Sequence, residues 1–142
     1  MADVLTPVQR ALLQEFLLSK VRQTFQWGTS DCGLLIADWA IMLGYPDPAA
    51  AVRGTYSDAE GAYAAIAPLS FQEFVAQCCA ACSFSPTDTP QDGDIGIIDL
   101  PMAGPTAGIM TNGSWAFKTA IGVTWLKTTQ GAQIAAWRVF GA

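Results

Sequence analysis

The sequence predicts an α+β domain spanning 1–142, with a helical half over about residues 1–82 and a β-rich half over about residues 94–142. Three observations carry this prediction. Apolar residues in the first half recur at helical spacing, broken by Pro and Gly. In the second half, short β-branched and aromatic runs alternate with Gly and Asn-Gly turns. Between them, Ser83 to Asp94 is a polar stretch too short to act as a linker between separate domains. Helices first and strands afterwards point to helices laid on an antiparallel sheet of about five strands. A chain of 142 residues is long enough to bury a sizeable core.

Taken in order, Thr6-Pro7-Val8-Gln9 is a helix start with a capping box and a proline in the first turn. Val8, Leu12 and Phe16, with Leu5, Leu13 and Leu17 beside them, form an apolar stripe running to about Val21. Phe25 and Trp27 follow in a turn. A second helix runs from Ser30 or Asp31, either of which can cap it, to Gly44. Pro46 and Pro48 prevent its continuation. A third, Ala-rich helix is expected to be capped by Ser57 through Ser57-Asp58-Ala59-Glu60 and closed by Pro68. Phe71 to Cys82 is a fourth, capped by Ser70. Strands are expected at Ile95 to Leu100, Gly104 to Met110, Trp115 to Phe117, Gly122 to Lys127 and Gln133 to Phe140, with Asn112-Gly113 as a tight hairpin.

Composition narrows the function. Hydrophobic residues make up 51% and charged residues 13%, and the net charge is −5. The acidic balance argues against nucleic acid and against electrostatic binding to anionic lipid. The scarcity of surface charge favours a chain that covers some of its exterior with protein partners. No apolar run reaches the length of a membrane span, and Met1-Ala2-Asp3-Val4 lacks the basic start of a signal peptide. The expectation is synthesis and assembly in the cytoplasm, with reduced thiols.

The stretch from Trp27 to Gly44 organises the chain. A polar turn, Trp27-Gly28-Thr29-Ser30-Asp31, leads into Cys32-Gly33-Leu34-Leu35 and an almost wholly apolar helix. Cys32 then lies in the first helical turn, where the positive end of the helix dipole and free N–H groups favour thiolate over thiol. The plain alternative is a small buried cysteine. Asp31 and Asp38, seven residues apart, read as a cap and a paired carboxylate. Trp27 and Trp115 are placed beside the expected cleft.

In their order these segments resemble the NlpC-type cell-wall peptidases, above all the small phage-encoded members associated with tails. Phe25, Trp27, Gly28, Asp31, Cys32, Gly33, Leu34 and Leu35 match an aromatic-x-Trp-Gly turn followed by Asp-Cys-Ser-Gly-Leu-Val, with the serine absent. Pro90, Gly93, Asp94 and Ile95 match Pro-Gly-Asp-Leu with a small insertion. Thr106, Ala107, Gly108, Ile109, Met110, Asn112 and Gly113 fall on His-Val-Gly-Ile-Tyr and its Gly-Asn-Gly hairpin. The resemblance covers roughly residues 25 to 118. It implies a papain-like fold, Cys32 as nucleophile with its helix-start amide in an oxyanion hole, orienting roles around Asp31, Gly33 and Asp94, and peptidoglycan stem peptides as substrate.

The chain has no histidine. Thr106 stands where the family has its base, and a hydroxyl does not accept a proton near neutral pH. The family's third polar position falls near Phe117 or Lys118. Asp94 matches a structural position of the family, its carboxylate taking backbone N–H bonds; Asp99 and Lys118 are the remaining candidates for a base. Cys78, Cys79 and Cys82 include a C-x-x-C pair, a weak metal candidate that needs Cys32 as a fourth ligand; otherwise they fill close helix contacts. No cofactor is expected. Three readings stand: a tail-tip or baseplate protein of a phage or phage-like particle, made in the host cytoplasm, with catalysis impaired or absent; an active endopeptidase using Cys32 with another or a partner-supplied base; and a metal-binding module.

Overall fold

The computed structural model describes residues 5–141, so the leader expectation, read on residues 1–4, lies outside them. The described residues form four helices followed by a six-stranded antiparallel sheet, the α+β class the sequence predicts.

Helix α1 (Pro7–Lys20) starts on the predicted capping box, Thr6 with Gln9. Its buried residues are Leu13, Phe16 and Leu17, whereas Val8 is 69% exposed, so the apolar stripe is turned away from Val8. Asp31 caps α2 (Cys32–Met42) by accepting from the Leu34 N–H. Leu34, Leu35, Ile36, Ala37, Trp39 and Ala40 of α2 are buried, and Gly44 follows at φ +97° in the left-handed region. The cap of α3 (Ala59–Ile66) is Asp58, bonded to the Gly61 N–H at 2.7 Å, rather than Ser57. A carboxylate placed three residues before that amide makes the bond itself, and the helix starts one residue later. Ser70 and Glu73 form the capping box of α4 (Phe71–Ala81).

The strands are β1 (Ser85–Pro86), β2 (Ile95–Leu100), β3 (Gly104–Thr111), β4 (Ser114–Thr119), β5 (Gly122–Leu126) and β6 (Gln133–Arg138). They lie in the order β1-β6-β2-β3-β4-β5. The sixth strand is β1, two residues within the stretch expected to be loop, where Ser85 and Pro86 pair with Arg138 and Trp137. So short a segment carries no alternation in sequence; its pairing comes from the β6 edge. Asn112 and Gly113, at φ +51° and +77°, make the predicted tight turn.

Alternation along the strands divides the sheet into two faces. Ile95, Ile97, Ala107, Ile109 and Ala116 meet Leu13, Phe16, Leu35 and Trp39 in the main core. The Trp39 indole N–H donates to the Gly93 carbonyl at 2.9 Å and its ring meets Phe16 and Phe140, fixing α2 across the sheet. On the opposite face Ile98, Trp115, Phe117 and Ala136 form a core of their own. There the Trp115 and Phe117 rings occupy the space that a Cβ at Gly96 and Gly108 would need. No helix among the described residues is long and apolar enough to cross a membrane.

Candidate functional site: the cavity over the start of α2

A cavity of about 360 Å³ lies over the start of α2. Its floor includes Asp31, Cys32 and Gly33 of the helix start; Pro105 and Thr106 come from β3 and Lys118 from β4. Its walls are apolar and largely aromatic, with Phe25 and Trp27 from the turn before α2, and Tyr63 and Phe71 from α3 and α4. The structure thus brings together Trp27, Asp31, Cys32, Gly33 and Thr106.

Asp31 is 2% exposed and its carboxylate is fully engaged. One oxygen accepts from the Leu34 N–H at 2.9 Å; the other accepts from the Gly28 N–H at 3.0 Å and the Tyr56 hydroxyl at 2.5 Å. Gly28, at φ +84°, has no room for a Cβ against the Tyr56 carbonyl oxygen, and its own carbonyl accepts from Gly54. The Trp-Gly turn therefore holds Trp27 and the helix start against the segment carrying Tyr56. Burial, then the bond to Asp31, holds the Tyr56 hydroxyl protonated well beyond its ordinary range. Asp38, the other α2 carboxylate, is the paired group expected, 2.8 Å from Lys20 and 2.9 Å from Arg53.

The thiolate expected at Cys32 is overturned. Burial pushes the thiol up to about 11; the Ala107 N–H opposes this, the Asp31 charge adds to it, and the N–H groups of Gly33 and Cys32 oppose it more weakly. The helix start does act in the predicted direction, but desolvation and a carboxylate at the adjacent residue outweigh it. Thr106 has its hydroxyl bonded to the Gly104 carbonyl at 3.0 Å.

Two expected cleft residues lie elsewhere. Trp115 faces the other side of the sheet, because strand alternation puts it there together with Phe117. Asp94 is fully buried at the start of β2, where it accepts from the Gln91 and Val139 N–H groups and pairs with Arg138 at 2.9 Å, joining β2 to β6. Asp99 is exposed and does not line the cavity. Lys118 does line it: 5% exposed, its ammonium donates to the Lys20 carbonyl at 3.4 Å, and burial, then the Lys20 charge, pulls it below the ordinary lysine range. Cys78, Cys79 and Cys82 form no ligand set with Cys32. Cys78 donates to the Pro48 carbonyl at 3.4 Å and the other two are buried. Among the described residues no three His, Cys, Asp or Glu side chains could hold a metal ion.

Sequence reasoning missed Tyr56, Tyr63 and Phe71. The last two lie on helices whose apolar faces read as core, and Tyr56 carried no signal beyond its place after Gly54-Thr55. The family model described as "Domain of unknown function (DUF6950)" matches residues 6–139. Comparison with curated proteins gives no significant match.

Proposed function

Starting from a chain that belongs to the DUF6950 family, whose description assigns no activity, we propose a catalytically silent relative of the NlpC-type peptidases. It acts by binding, as a tail-tip or baseplate component of a phage or phage-like particle. The observation that carries the loss of catalysis is the Cys32 thiol, raised to about 11 in a chain without histidine, where Thr106 at the family's base position has its hydroxyl bonded to the Gly104 carbonyl. The lineage rests on the order of the Trp-Gly, Asp-Cys and strand motifs along the chain. The assembly role is supported by that resemblance and by large apolar side chains open to solvent, among them Leu18 at 73%, Ile121 at 80% and Trp125 at 42%.

Digestion of purified peptidoglycan by wild type and Cys32→Ala tests the silent reading. Equal, background-level release of fragments is the expected result. Release by the wild type that Cys32→Ala abolishes would instead establish an active peptidase. Mass spectrometry of particles purified from cells that produce the chain tests the location, and its absence from those particles would refute the tail assignment.

A further inference from the structure

The cavity over α2 offers a ligand more than a thiol. Its 360 Å³ is roughly twelve times the ~30 Å³ that a water molecule takes up in the liquid, room for about twelve heavy atoms. Its aromatic and aliphatic walls, including Phe25, Trp27, Tyr63, Ile66 and Phe71, suit an apolar body. Two ionisable side chains of opposite charge line it, and they differ in what already satisfies them. Asp31 accepts three hydrogen bonds from its own chain. Lys118 has three N–H donors and, among the described residues, a single long bond, to the Lys20 carbonyl at 3.4 Å. Among the described residues no carboxylate lies within ion-pair distance of it: Asp38, whose charge acts on it, is taken up by Lys20 and Arg53. A buried ammonium with unmet donors beside an apolar cavity calls for an anion.

We propose that this cavity binds a small apolar monocarboxylate, its alkyl or aryl body among the aromatic side chains and its carboxylate bonded to Lys118. The inference rests on the binding, non-catalytic reading of the same site. It differs from a cell-wall stem peptide in chemistry. Such a peptide brings several charged groups, and the lining has one cation with open donors and no unsatisfied anion.

Isothermal titration of the full chain with decanoate, decan-1-ol and decylamine tests the proposal. Decanoate should bind at least about tenfold more tightly than the alcohol, the discrimination expected of one charge-assisted hydrogen bond, and the amine should bind most weakly. Lys118→Met, which keeps the apolar stem, should erase the preference for the acid while leaving alcohol binding in place. Wild-type protein that binds alcohol and acid equally, or binds no carboxylate, overturns the proposal. The wild-type series decides alone if the variant does not fold. A free acid and the C-terminus of an apolar peptide share this chemistry, and N-acetylated Leu-Leu-Phe, which carries no ammonium, with a free or an amidated carboxyl separates them. Tighter binding of the free-acid tripeptide than of decanoate assigns the source to a protein terminus; the reverse assigns it to a free acid. Peptidoglycan digestion plays no role in these titrations. An active Cys32 would refute the silent reading and leave the carboxylate result standing, and failure of the carboxylates would leave the silent reading untouched.

Discussion

Gly28→Ala is the sharpest probe of how the site is held. The substitution adds one Cβ at φ +84°, a region that costs an L residue about 1–2 kcal/mol. The new atom would meet the Tyr56 carbonyl oxygen, which is backbone and does not swing aside as a side-chain tip does. Moving the turn outward costs what overpacking costs, about 1–3 kcal/mol. The same movement stretches the Gly54 N–H bond to the Gly28 carbonyl, 2.9 Å, and the Tyr56 bond to Asp31, 2.5 Å, at about 1 kcal/mol for each bond lost. The sum is roughly 4–7 kcal/mol. Gly44→Ala isolates the conformational cost, because Gly44 sits at φ +97° with nothing within 4 Å of an added Cβ. Equilibrium urea unfolding of both variants, followed by tryptophan fluorescence, should place Gly28→Ala below Gly44→Ala by roughly 3–5 kcal/mol. Equal losses would refute the argument that contact with Tyr56, and not backbone conformation alone, demands glycine there.

Three further outcomes are expected. Iodoacetamide should modify Cys32 slowly near neutral pH, with a titration midpoint near 11; because the folded thiol holds its proton more tightly than the unfolded one, its contribution to stability is complete below the unfolded thiol's pKa and fades as pH rises through about 11. Asp31→Asn, read by thermal unfolding, should destabilise by roughly 1–3 kcal/mol, since the amide cannot accept from Leu34, Gly28 and Tyr56 at once. The Arg53 guanidinium, by hydrogen bond first, holds Asp47 below the usual carboxylate range, so Asp47 adds stability above its unfolded pKa that is lost as pH falls through the folded one. Arg53→Gln should therefore flatten the acid limb of a stability–pH curve measured by urea midpoints, and an unchanged limb would count against that pairing.

The elements were legible where local chemistry decides them. Thr6 with Gln9, Ser70 with Glu73, and Asn112-Gly113 each carry their own hydrogen bond or turn geometry within four residues, and each stands where the sequence puts it. Strand β1 was not legible, because Ser85 and Pro86 pair only in the presence of β6. The site divides in the same way. Cys32, Gly33, Asp31 and Trp27 share one short stretch, and Thr106 was placed by its position in a strand. The thiol's charge state could not be read off the helix start, since it depends on burial under β3 and on what Asp31 does with its charge. Trp115 and Lys118, both considered for the cleft, could not both line it, for a reason of parity. Their positions on β4 differ by an odd number of residues, so only one of them could face α2, and which one depends on the register with β3.

The Asp31 carboxylate also has a kinetic meaning. It joins the turn at Gly28 and the first turn of α2, which adjoin it in sequence, to the segment ending at Tyr56, 25 residues further on. None of the three can move outward without breaking a bond to the same two oxygens. The mouth of the cavity should therefore open as one unit and not as three fluctuating loops. In hydrogen exchange, the amides of Gly28, Leu34 and Gly54 would then share one opening free energy, and ligand entry would wait on that single event.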